Sequence, residues 1–279
     1  MTAPNVTAPT RLRLNDGHYI PALGLGIWQV PAAVTEATVG QALALGYRLI
    51  DGAAIYGNEA GQGAGLRQSD VPRDDVFVTT KIWNDQQGYD STLRAFDASM
   101  NRLGLETLEL CLIHWPTPSQ DRYVDTWRAL IRLRDDGRVR SIGVSNFLGD
   151  HLERIVGETG VVPVLNQIEL HPRLQQTDLR RLHDAMGIVT QSWTPLGQSL
   201  SFDSAPVQAV VARTGKTPAQ VILRWHLHLG CSVIPRSTHA GRLAENLDLG
   251  GFDLTDAEMA AMATLDAGTR TGPDPAVFG

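Results

Sequence analysis

Asp51 and Tyr56 stand five residues apart, and two more groups of catalytic type, Lys81 and His114, end later apolar runs. Tyr47-Arg48-Leu49-Ile50 delivers Asp51, and Val76-Phe77-Val78-Thr79-Thr80 delivers Lys81. Leu108-Glu109-Leu110-Cys111-Leu112-Ile113 delivers His114 before Trp115-Pro116 stops the run. A phenol titrates near pH 10 and is a poor acid at neutral pH unless a buried cation lowers that value. Lys81 offers such a cation, Asp51 can hold it in place, and His114 can orient a carbonyl oxygen through a hydrogen bond. The set suits proton delivery to a carbonyl oxygen while hydride reaches the carbon, and since no side chain supplies hydride, a cofactor is implied.

Each residue also has a plainer reading. Lys81 with Asp51 alone would be a buried ion pair, and His114 alone a satisfied core histidine; the four in register favour chemistry. His171, before Pro172, reads as structural. His226 and His228 lie two apart on a helix and so face different ways, which argues against a metal site. Gly61-Gln62-Gly63-Ala64-Gly65 resembles a phosphate-binding glycine loop only superficially and reads as a small-residue helix. Trp28, Trp115 and Trp83 are candidates for lining a substrate pocket or for packing.

The elements that must position these groups alternate. Strand-like runs at 23–26, 47–51, 76–81, 108–114, 139–144, 164–168, 188–193 and 232–235 are separated by amphipathic stretches at 35–45, 58–68, 89–103, 121–136, 148–156, 175–186 and within 205–229. Strict alternation requires parallel pairing through helical crossovers, and eight repeats allow closure, so the expected fold is a (β/α)8 TIM barrel. Such barrels carry their chemistry at the carboxyl ends of the strands. Arg11–Leu14 and His18–Pro21 flank Asp16-Gly17 as a hairpin that could plug the barrel bottom. Thr255–Leu265 reads as a final helix with a capping box, and Gly272-Pro273-Asp274-Pro275 as an extended arm. The expected organisation is one domain over residues 1–279.

Bulk composition narrows the classes. With 24 Lys+Arg against 30 Asp+Glu the net charge is −6, which opposes non-specific attraction to nucleic acid or anionic lipid. The two cysteines, Cys111 and Cys231, sit in apolar segments with no redox or metal spacing, pointing to a reducing, cytoplasmic compartment. Met1–Thr10 lacks the character of a signal peptide, no apolar run approaches the roughly 20 residues of a membrane span, and Asn5-Val6-Thr7 reads as an incidental sequon.

Six stretches in order carry a resemblance to the aldo-keto reductases over nearly the whole chain. They are Asp51-Gly52-Ala53-Ala54-Ile55-Tyr56-Gly57-Asn58-Glu59, Val78-Thr79-Thr80-Lys81, Leu112-Ile113-His114-Trp115-Pro116, Ile142-Gly143-Val144-Ser145-Asn146-Phe147, Asn166-Gln167-Ile168-Glu169 and Val233-Ile234-Pro235-Arg236-Ser237. The resemblance implies Tyr56 as proton donor, Lys81 and Asp51 as its tuning pair and His114 as the substrate-orienting group. It implies NADPH lying extended across the mouth, its amide-bearing ring held by Ser145, Asn146 and Gln167 and stacked on Trp193, with Leu196 and Gly197 beside it.

Many members have tyrosine where Trp193 stands, and tryptophan is similar to the prokaryotic-type branch of diketogluconate and small-dicarbonyl reductases. The adenine end would lie on Arg236, Ser237, Thr238, Arg242, Glu245 and Asn246. Arg236 and Ser237 with a helix start near Thr238 would form a local anion site, favouring NADPH over NADH. Arginine replaces the family's usual lysine at 236, and Gly52 replaces its usual threonine, which loosens the backbone and is expected to open local space.

The sequence is compatible with three functions: a reductase of small carbonyl compounds, a cofactor-binding sensor with little turnover, and a metal-assisted barrel hydrolase. The intact acid favours the first, and the lack of clustered histidines disfavours the last. The expected partner is a small-molecule carbonyl substrate, with no nucleic acid, no membrane and a monomeric state.

Overall fold

A computed structural model describes residues 11–279. The amino-terminal segment and Asn5-Val6-Thr7 lie outside the described residues. Strands β1 (Arg11–Arg13) and β2 (Tyr19–Pro21) form the expected antiparallel hairpin. Eight parallel strands come next: β3 (Leu25–Gly26), β4 (Leu49–Asp51), β5 (Phe77–Ile82), β6 (Leu108–Ile113), β7 (Val139–Ser145), β8 (Leu165–Glu169), β9 (Val189–Trp193) and β10 (Ser232–Val233). Neighbours in sequence are neighbours in the sheet. A parallel bridge from Leu23 to Val233 joins its two edges, with Gly24 N–H donating to the Val233 carbonyl at 2.8 Å. The sheet therefore closes into the expected (β/α)8 barrel.

Helices α1 (Ala32–Leu45), α2 (Glu59–Gln68), α3 (Tyr89–Leu103), α4 (Tyr123–Asp135), α5 (Gly149–Thr159) and α6 (Thr177–Met186) are the first six crossovers. The expected helical stretch within 205–229 is two helices, α7 (Ala205–Thr214) and α8 (Pro218–His228). Gly215, with a left-handed φ of 69°, ends the first; Thr217 caps the second and Pro218 opens it. Helices α9 (Ala240–Leu247) and α10 (Asp256–Ala263) complete the chain, the latter with the expected Thr255/Glu258 capping box. The glycine-rich stretch at 61–65 is interior to α2, as its small residues predict.

A strand's period of two decides what the barrel holds. Leu49, Phe77, Leu110, Leu112, Leu165 and Ile234 cluster with Leu14 and Ile20 of the hairpin, which plugs the bottom. The alternate residues Ile50, Val78, Cys111, Ile113 and Val144 belong instead to the larger core beneath the helices. Continuing the inward phase towards the carboxyl ends reaches Asp51, Lys81, His114, Ser145, Gln167, Gln191 and Trp193. The same alternation that fills the lower barrel with leucine thus lines its mouth with polar groups.

Candidate active site

Lys81 is 0% exposed and uses all three ammonium protons. It donates to Asp51 Oδ2 at 2.6 Å, to the Gly52 carbonyl at 2.9 Å and to the Tyr56 hydroxyl at 3.3 Å. Tyr56 reaches it from a single helical turn, Ala54–Tyr56, that folds the phenol back over the strand ends. The Tyr56 and His114 rings meet edge to face at 5.7 Å, and Trp83 flanks His114 on another side at 5.0 Å. Asp51, Tyr56, Lys81 and His114 therefore converge as their spacing predicts.

Burial raises the Tyr56 pKa above its ordinary value, and the pull of Lys81 in the other direction does not overcome it. The phenol thus keeps its proton at neutral pH, contrary to the lowering expected from the sequence, because desolvation outweighs the cation. Lys81 stays charged: burial disfavours the ammonium, but Asp51 and the Tyr56 oxygen outweigh that and raise its pKa. His114 is driven well below its ordinary value, first by burial and then by the Lys81 charge, so its imidazole is neutral.

Gln167 donates to Asp51 Oδ1 at 2.8 Å and to Gln191 Oε1 at 2.6 Å, and Gln191 passes the chain to Ser232 at 3.0 Å. Asn146 donates to the His114 carbonyl and to Ser145 Oγ, both at 3.0 Å, while its Oδ1 accepts the Trp193 indole N–H at 2.8 Å. Ser145, Asn146 and Gln167 thus brace the Asp51–Lys81 pair, His114 and Trp193 as well as standing at the mouth. Gln191 is not among the residues that the motifs single out. Its signal in the sequence is a polar residue in the inward phase of β9.

The remaining candidates fall in two groups. Trp115 is buried beside Trp193, ring to ring at 6.4 Å, whereas Trp28, just past β3, is 51% exposed with no aromatic partner among the described residues. Leu196 and Gly197 sit in the short turn after β9. Arg236, Thr238 and Arg242 are exposed beyond β10, and Ser237 and Asn246 are buried. The helix following Arg236 opens at Ala240, two residues later than expected, with the Ser237 hydroxyl accepting from His239 N–H at 3.0 Å. Glu245 is held by the Thr217 hydroxyl at 2.6 Å, a tie between α9 and the start of α8.

The space expected at Gly52 is filled. A Cβ there would overlap Gln62 Oε1, so the α2 side chain occupies the volume that the glycine frees. Buried His226 bonds Ser192 and the Pro195 carbonyl, and no cluster of three or more ligand-type side chains could hold a metal among the described residues. No helix among them is long and apolar enough to cross a membrane.

The profile of the aldo/keto reductase family matches residues 22–267, most of the barrel. The chain belongs to the aldo/keto reductase family. Within it, the chain is 51% identical to an aldo-keto reductase of Mycolicibacterium smegmatis over 268 residues, 96% of this chain and 98% of the relative. It is 46% identical to the methylglyoxal reductase DkgA of Yersinia pestis over 276 residues, covering 98% and 99% of the two chains. A crystal structure of a Gox0644 variant in complex with NADPH superposes with a TM-score of 0.94 at 48% identity, covering 98% of this chain and 99% of that one. This family member is an oxidoreductase built for carbonyl reduction, with its polar residues gathered where a barrel carries chemistry.

Proposed function

We propose that this reductase converts small aldehydes, ketones and dicarbonyls to alcohols with NADPH, using Tyr56 as proton donor. The observation that carries the reading is the buried chain Asp51–Lys81–Tyr56, with neutral His114 beside the phenol.

The donor set suits a nicotinamide dinucleotide. The amide N–H groups of Asn146 and Gln167 are committed within the protein, but Gln167 Oε1 has no partner among the described residues and Asn146 Oδ1 keeps a lone pair, so with Ser145 Oγ beside them they could accept from a carboxamide NH2, and Trp193 offers an aromatic face at the same strand ends. Arg236 and Arg242 are exposed and form no ion pair among the described residues; Arg236 only donates to Gln29 Oε1 at 3.2 Å. Two uncompensated guanidiniums suit a 2′-phosphate, which favours NADPH and leaves NADH a weaker alternative. Leu196, Gly197, Ser237, Thr238, Glu245 and Asn246 would line the same groove. When bound, the reduced cofactor supplies hydride.

The chain's own residues supply the rest. His114, uncharged and carrying one N–H, orients the carbonyl oxygen towards the phenol. Tyr56 gives up its proton as negative charge gathers on that oxygen, and the fixed Lys81 ammonium stabilises the tyrosinate left behind. Asp51 holds Lys81 in place, and Trp115 with the exposed Trp28 lines the substrate side. The DkgA relatives favour small dicarbonyls such as methylglyoxal as the substrate class, acted on by a single-domain cytoplasmic monomer.

NADPH oxidation by purified protein across small aldehydes, dicarbonyls and sugar ketones tests this. Turnover with at least one class, faster with NADPH than NADH, is expected. NADPH binding without turnover on any of them would return the protein to the sensor reading.

A further inference from the structure

Glu169 closes β8 and is 0% exposed, yet the carbonyl-reducing set does not use it. Its carboxylate is spent on the chain's last residues. Oε1 accepts from the Thr271 backbone N–H and hydroxyl, both at 2.6 Å, and lies 3.2 Å from His171 Nε2; Oε2 accepts from Gly272 N–H at 3.3 Å. Arg270 stands 3.9 Å from Oε2. Burial disfavours the anion, but the bonds from His171, Thr271 and Gly272 outweigh it and hold the carboxyl below the usual range.

Beyond this anchor the chain crosses the mouth. Glu169 pairs in register with Trp193, and Gly272 rests on that indole so closely that a Cβ would overlap Cη2 and stand 3.1 Å from Cζ3. The indole is thus pinned twice, by Asn146 at its nitrogen and by Gly272 at its far edge. Pro273 and Pro275 stiffen the next residues. Phe278 then packs on Trp115 at 4.6 Å and Trp83 at 6.5 Å, and the Ser119 hydroxyl donates to the Gly279 carbonyl. The extended arm expected from Gly272–Pro275 is therefore a strap that ends in a turn, with Phe278 N–H on the Asp274 carbonyl.

We propose that Glu169 is a positioning residue: its carboxylate latches residues 271–279 across the mouth, and through them it sets Trp193 and closes the substrate side over Trp115. Four donors converging on one buried carboxylate make a latch that an uncharged amide cannot reproduce, since its NH2 would face backbone N–H groups. The consequence for turnover rests on the reductase reading. The latch itself does not.

Trypsin offers a readout independent of activity, because cleavage after Arg270 releases Thr271–Gly279 as one peptide of known mass. In Glu169→Gln that release is expected about ten- to a hundredfold faster than in the native chain, the factor for losing one charge-assisted hydrogen bond, with overall folding judged by circular dichroism. The carbonyl KM should rise with kcat changed far less. A chain ending at Arg270 should show the same raised KM, and adding Glu169→Gln to it should change nothing further. Equal release rates in the native and Glu169→Gln chains would overturn the latch. An equal added KM defect in the truncated chain would overturn action through the strap. A native chain that reduces no carbonyl would sink the reductase reading but leave the trypsin comparison decisive.

Discussion

Replacing Lys81 by methionine keeps most of the side chain's volume and removes its charge. The structure sets the size of the effect: Asp51, 2% exposed, would keep only the Gln167 amide at 2.8 Å, and the Gly52 carbonyl would lose its donor. Removing one partner of a buried pair costs about 3–5 kcal/mol. At about 2–4 °C per kcal/mol for a chain of this size, melting should fall by roughly 6–20 °C at pH 7. Adding Asp51→Asn should recover a large part of the loss, giving a double-mutant cycle with a coupling of about 2 kcal/mol or more. Calorimetry on the four proteins at pH 7 measures each quantity. A Lys81→Met cost below about 1 kcal/mol with no coupling would refute the buried pair, since exposed pairs contribute that little.

Three further outcomes are expected. His183 and His226 are held down to about 4 and about 3 by burial, against 6.5 for the free ring. The unfolded chain therefore binds protons that the folded chain refuses, so stability should fall between pH 7 and pH 5 by about 2 kcal/mol per residue. Chemical denaturation at both pH values, on the native chain and on His226→Asn, reads this; a pH dependence unchanged by the substitution would contradict it. Gly52→Ala forces a Cβ onto Gln62 and should cost about 1–3 kcal/mol, with Gln62→Ala in the same chain relieving part of it; thermal melting checks both. Arg236→Ala should weaken NADPH about ten- to a hundredfold while leaving NADH unchanged, as fluorescence titration with each cofactor would reveal.

Much of the site was legible because it obeys a period of two. Once Leu49, Phe77 and Leu110 face inward, Asp51, Lys81 and His114 must share that face, and the strand ends must gather them. The break between α7 and α8 is also written in Gly215, Thr217 and Pro218, yet one long amphipathic pattern runs across it and hides it. What spacing could not convey is pairing across distance. Gln62 fills the volume beside Gly52 from a different element, and Glu169 reaches a segment about 100 residues later in the chain. The direction of the Tyr56 pKa shift escapes the sequence for a related reason: the cation is visible there, but the desolvation that outweighs it is a property of the closed barrel.

Tyr56→Phe isolates proton delivery, because it removes one hydroxyl and leaves Lys81 bonded to Asp51 and Gly52. NADPH affinity and single-turnover reduction of methylglyoxal would be measured on the native and Tyr56→Phe proteins side by side. With Tyr56 as proton donor, the NADPH dissociation constant should stay within about threefold of native, and the reduction rate should fall by about 10²–10⁴-fold, the usual contribution of general acid catalysis. A Tyr56→Phe protein that reduces methylglyoxal at the native rate would remove Tyr56 from proton delivery.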